Sequence, residues 1–174
     1  ENVYVVDTQN LSTGGGLLVL RACEMAREGK SAEEIVSVCE ELRSRVDASF
    51  VIDSLEFLHK GGRCSALAAF GANLLKLKPC ITVTEGKMGV SKKYRGNFAQ
   101  VLKTYIAEQI GDGSSIELDR VFVTHAGCDE AIVSACKEQV KSLAPFGEVF
   151  VTRAGCTVSS HCGKNTLGVL FIKK

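Results

Sequence analysis

Short apolar runs alternate along the chain with segments whose apolar residues recur three and four positions apart, and this change of period allows few folds. Val3–Val6, Ser49–Ile52, Arg120–Thr124, Glu148–Thr152 and Thr166–Ile172 are the short runs and read as strands. Between them, Phe98, Val101, Leu102, Tyr105 and Ile106 trace one face of a helix that Asn97 caps. Ile35, Val38 and Leu42 trace another, after a capping box from Ser31 to Glu34. Strands interleaved with amphipathic helices give an α/β fold, a mixed sheet with helices packed on it in two layers.

Finer punctuation places the remaining elements. Leu11-Ser-Thr-Gly-Gly-Gly16 reads as a turn before a helix over Leu17–Arg27, with Gly29 as its stop. Ser54 caps a short helix that ends at Gly61-Gly62, and Ser65–Leu75 is a run of small and apolar residues. Ile81–Thr84 and Gly89–Tyr94 flank Glu85-Gly86-Lys87-Met88 as a β-hairpin, and Asp129 caps a helix ahead of Glu148. A boundary near Val46 separates residues 1–45, a strand and two helices, from a mixed α+β unit over 46–174. The chain opens on Glu1 and enters a strand at once, which leads us to expect a fragment of a longer protein.

Composition narrows the function classes. Hydrophobic residues make up 45% of 174, enough for an ordinary core, and the net charge of +1 gives no global attraction to nucleic acid or membrane surfaces. From Lys60 to Arg95, however, eight basic side chains accompany one acid, Glu85, a surface suited to an acidic partner. The 8 cysteines form no CxxC pair, and several fall in helical patterns, which fits buried free thiols in a reducing cytoplasm. No apolar run is long enough to span a bilayer, and no signal peptide is visible.

Three polar clusters lie where loops meet strands or helices. Asp7–Gly16 can offer backbone N–H groups to an anion at a helix start, although it has neither a P-loop lysine nor GxGxxG spacing. Lys60-Gly-Gly-Arg-Cys-Ser65 can project Arg63, whose planar fork suits a carboxylate or phosphate. Ser159-Ser-His-Cys-Gly-Lys-Asn165 puts His161 beside hydroxyls in a loop before the last strand, where it can hold a carboxylate. A Cys162–His161 nucleophile is disfavoured, because adjacent strand residues face opposite ways. His125, Cys128, Cys156 and His161 match no common zinc spacing, and no carboxylate pair suggests acid–base chemistry.

Taken in order, these elements resemble the DegV family of bacterial fatty-acid-binding proteins. The resemblance rests on Val3-Tyr-Val-Val-Asp-Thr8 with Ser12 and the glycines, and on Phe57-Leu-His-Lys-Gly-Gly-Arg-Cys-Ser65. It continues through Lys76-Leu-Lys-Pro-Cys-Ile81, Tyr94-Arg-Gly96 and His161-Cys-Gly163, so that it covers the whole chain. It implies a two-domain protein holding one long-chain fatty acid in an apolar tunnel, with no other cofactor and no catalysis of its own. Residues 1–45 would then be the end of an N-terminal α/β domain whose upstream loops supply hydroxyls to the carboxylate.

By the same match His161, with Ser160 and Gly163, binds the carboxylate, while Arg63 and Arg95 work with an ATP-binding kinase subunit that makes an acyl phosphate. Arg63, Ser65, Phe70 and Leu74 join the ligand-binding set, and Phe50, Leu67 and Leu75 are further candidate walls. Cys162-Gly-Lys-Asn165 departs from the family's threonine-glycine-proline-glycine run. The rival expectation is an enzyme domain that binds a phosphorylated small molecule at the Gly14–Gly16 turn.

Overall fold

The computed structural model describes residues 3–62 and 77–174. Within them the order is α1 (Ser12–Arg27), α2 (Ala32–Leu42), β1 (Val46–Ile52), α3 (Glu56–Lys60), β2 (Leu77–Thr84) and β3 (Lys87–Arg95). There follow α4 (Phe98–Ile110), β4 (Arg120–Ala126), α5 (Glu130–Leu143), β5 (Glu148–Arg153), α6 (Cys156–Cys162) and β6 (Thr166–Ile172). The strands form one sheet in the order β3-β2-β1-β6-β4-β5. Only β4 and β5 run parallel, joined through α5; the other neighbours are antiparallel.

The local chemistry behaves as the sequence predicts. Ser31 and Glu34 form the reciprocal capping box of α2, Asn97 caps α4, Asp129 caps α5, and Ser54 Oγ accepts from Glu56 N–H ahead of α3. The β2–β3 hairpin turns on Glu85 and Gly86 alone, both at positive φ (51° and 73°), so the strands run longer than expected. Pro79 lies beyond Cys80, the last residue of β2 registered with β1, so its missing N–H costs that pairing nothing.

The mixed sheet with helices is present, but helices cover both of its faces, making three layers where two were expected. The alternation along the strands shows it. Val51, Val121, Val123, Leu167, Val169 and Phe171 pack with α4 and α5, whereas Val46, Ala48, Phe122, Leu170 and Ile172 pack with Leu17 and Leu18 of α1. Further along this second face, Phe50, Ile52 and Ile81 pack with Leu58 of α3 and Cys162 of α6. The central strands β1 and β6 are therefore buried on both sides, and β6 is buried at every position.

Two expectations for the amino-terminal residues are corrected. Val3–Val6 joins no sheet among the described residues, and Val3 and Val5 are 77% and 89% exposed. Gly14–Gly16 are not a turn, since α1 begins at Ser12 and includes them. Packing gives a reason for one of them: a Cβ on Gly14 would sit 2.5 Å from Asn10 Oδ1 and 3.3 Å from Ala48 Cβ of β1, and glycine leaves room for both.

Charge also ties α1 to the sheet. Glu117, just before β4, accepts from Arg21 of α1 at 3.1 Å and from Arg45, while Arg120 pairs with Glu24. These groups are partly buried, so Glu117→Gln is expected to cost about 1 kcal/mol. Urea unfolding at low and high salt checks this, with the difference shrinking at high salt.

Candidate functional site

Two short helices bring distant sequence together at one end of the sheet. Leu58, 1% exposed, anchors α3 on the apolar cluster of Phe50, Ile52 and Ile81; Cys162, 5% exposed, anchors α6 on the same cluster. Leu55, Met88, Val90 and Val158 extend that cluster at its edge. The result is an apolar floor with the ends of both helices beside it.

His161 lies in the last turn of α6, not in a loop, which corrects the sequence expectation. Its ring packs on the backbone where α3 ends. A Cβ on Gly61 would lie 2.5 Å from His161 Nδ1 and 3.3 Å from Cε1. The reverse contact is equally close: a Cβ on Gly163 would lie 2.3 Å from the Phe57 ring. Gly163 also sits at φ 80°, where it ends α6. The second and third polar clusters of the sequence thus meet through Gly61 and His161. Among the described residues, Nδ1 of His161 is buried with no hydrogen-bond partner.

The other predicted site residues divide three ways. Ser160 is exposed, and its hydroxyl donates to Thr157 O at 3.0 Å within α6. Arg95 is exposed at the end of β3, opposite Leu77. Arg63, Ser65, Phe70 and Leu74 lie outside the described residues, as do Leu67 and Leu75. Sequence reasoning missed a polar tie at this same end. Asp53, after β1, pairs with Lys78 at 2.5 Å and accepts from Asn165 Nδ2 at 3.3 Å. Asn165 stands at φ 59°, the left-handed region in which asparagine is enriched, and its type is the signal that could have marked this turn.

The rival chemistries find little geometry. Burial pushes the Cys162 thiol up to about 11, far from thiolate character at neutral pH. Cys162 and His161 are also neighbours in a helix, where consecutive side chains diverge. His125, Cys128, Cys156 and His161 do not converge: no three His, Cys, Asp or Glu side chains among the described residues form a metal-sized group. Burial first, and then Arg153, lowers the His125 pKa, while burial raises Cys128 to about 12. At the Gly14–Gly16 segment, Asn10 lies where a Cβ on Gly14 would stand and Thr8 is in contact range of one on Gly15.

One prediction follows for the thiols. Cys23 and Cys156 are exposed, whereas Cys39, Cys80, Cys136 and Cys162 are buried. Brief alkylation of native protein near pH 8 is expected to label Cys23 and Cys156 ahead of the other cysteines of the described residues, as peptide mapping would show, with Cys162 modified only on unfolding.

A polar cleft of about 320 Å³ opens at the other end of β1, lined by Gln9, Asn10, Arg43, Asp47, Thr84 and Lys173 among others. It is remote from α3 and α6, since Val46 and Ile52 stand at opposite ends of the strand. No helix among the described residues is long and apolar enough to cross a membrane.

The family model described as "Uncharacterised protein, DegV family" matches residues 1–174, the whole chain. The chain belongs to the DegV family. A DegV domain-containing protein of Clostridium acetobutylicum is 33% identical over 174 residues, covering 100% of this chain and 61% of the relative. The chain therefore spans about three fifths of the length of the curated relatives it matches. Among solved structures, a fatty-acid-binding DegV family protein from Thermus thermophilus is 33% identical with a TM-score of 0.81, covering 99% of this chain and 61% of that one. DegV from Bacillus subtilis, described as a fatty acid binding protein, is 27% identical with a TM-score of 0.79 over 99% of this chain and 61% of its own. A DegV lipid-binding protein from Thermotoga maritima is 26% identical with a TM-score of 0.83, covering 98% and 59%.

Proposed function

We propose that the protein containing this chain binds one long-chain fatty acid, with the acyl chain on apolar walls and the carboxylate at His161. The observation that carries this is the junction of α3 and α6. His161 packs on Gly61 at the end of α3, and its neighbour Cys162 and Leu58 of α3 both pack on the apolar cluster of Phe50, Ile52 and Ile81. A carboxylate needs a few convergent donors, and the acyl chain needs only apolar surface, contributing about 0.8 kcal/mol for each buried methylene. The fatty-acid-binding relative from Thermus thermophilus supports the same ligand class.

In this reading the boundary lies near Val46. Residues 1–45 end one domain, and 46–174 form the domain that carries His161. The protein is a carrier that presents the carboxylate to a separate ATP-binding kinase subunit, with Arg63 and Arg95 facing the new phosphate, and it works in the cytoplasm. The exposed basic residues Lys87 and Arg95 on β3, an edge strand, support an acidic partner on that side.

The test is organic extraction of the purified full-length protein followed by mass spectrometry. Stoichiometric long-chain fatty acid is expected. Recovery of a phosphorylated metabolite, with no fatty acid bound even after loading, would refute the carrier. Acyl phosphate formed from ATP by this protein with no kinase subunit added would refute the division of labour.

A further inference from the structure

The contact between α3 and α6 is reciprocal. His161 of α6 fits where Gly61 lacks a side chain, and Phe57 of α3 fits where Gly163 lacks one. Each helix supplies one ring and one glycine, and each ring sits against the other helix's glycine. Leu58 and Cys162 hold both helices on the sheet. The inward face of the His161 ring is Nδ1, buried and unpartnered among the described residues. Nε2 carries no such burial and makes no hydrogen bond there.

We infer that Phe57, Gly61 and Gly163 lock His161 in one orientation and one tautomer, with the proton on Nε2. The inference rests on the carrier reading for its ligand, and it names which atom of the histidine meets the carboxylate and in which form. Protonating Nδ1 would bury an N–H donor with no acceptor, whether in the cation or in the other neutral tautomer. Leaving Nδ1 as a lone pair costs less, since buried acceptors go unmet more readily than buried donors. The neutral imidazole then donates from Nε2–H to a carboxylate oxygen. Phe57 and Gly61 are positioning residues; they touch the histidine and not the ligand.

Glutamine and asparagine separate the two nitrogens, because the glutamine amide reaches the position of Nε2 and the asparagine amide that of Nδ1. In the full-length protein, His161→Gln is expected to hold a long-chain fatty acid within about threefold of wild type, while His161→Asn loses more than about tenfold. Gly61→Ala, which would push the ring off its seat, is expected to lose about tenfold or more with an unchanged melting temperature. Equal binding by His161→Asn and His161→Gln would overturn the assignment.

A second measurement needs no ligand. Nitrogen-15 NMR of the unloaded full-length protein is expected to show a pyridine-type Nδ1 and a pyrrole-type Nε2 at His161, with both signals moved by Gly61→Ala. A pyrrole-type Nδ1 would overturn the lock even if fatty acid binds. If wild type binds no fatty acid, the carrier reading fails, and the NMR still decides the tautomer.

Discussion

His161→Ala is expected to weaken long-chain fatty acid binding by about 10- to 100-fold in the full-length protein, the value of one hydrogen bond to a charged carboxylate, about 1.5–3 kcal/mol. The loss should be the same for shorter and longer acids, because the histidine meets only the head group. Shortening the acid acts separately, at about 0.8 kcal/mol for each methylene. Titration of wild type and variant with a series of chain lengths checks both statements together, since the two effects should add. A penalty that grew with chain length would place His161 along the acyl chain and refute the head-group role. The variant should fold, because His161 is only half-buried and its neighbour Cys162 keeps α6 on the sheet.

Tyr105→Phe is expected to destabilise the fold by about 2–3 kcal/mol while leaving the ring packed. The tyrosine is 0% exposed on α4, and its hydroxyl reaches between β1 and β6. There it donates to Ser49 O at 2.8 Å, accepts from Val169 N–H at 3.0 Å and lies 2.8 Å from Ser49 Oγ. Removing it orphans buried backbone groups on both central strands, at about 1–3 kcal/mol for each unmet group. Burial holds this hydroxyl protonated far above the usual tyrosine range, so it remains a donor across working pH. Urea unfolding checks the effect: the midpoint should fall with little change in slope. An unchanged midpoint would mean that the strands close over the gap.

Much of the fold was legible in the sequence because its signals are local. The Ser31–Glu34 box and the Asn97 and Asp129 caps are made by residues within a few positions of each other and stand where the pattern puts them, while the hairpin turn expected over Glu85–Met88 tightens to Glu85 and Gly86. Val3–Val6 failed for the opposite reason. An apolar run becomes a strand only with a neighbour to pair, and none is described here. The glycines of α1 failed because helix propensity marks them as a break, while the contact of Gly14 with Ala48 depends on β1, distant in sequence.

The candidate site shows the same division. Sequence alone singled out Lys60-Gly-Gly and His161-Cys-Gly163 as polar clusters beside glycines, and the family resemblance joined them to a fatty acid. It took the tertiary structure to turn His161 into the end of a helix, to set its ring on Gly61 and to put Phe57 on Gly163. Those contacts span about a hundred residues, and no local propensity encodes them. They arise because Leu58 and Cys162 must bury their side chains on one face of β1 and β2, and burial on a shared surface brings together what the chain keeps apart.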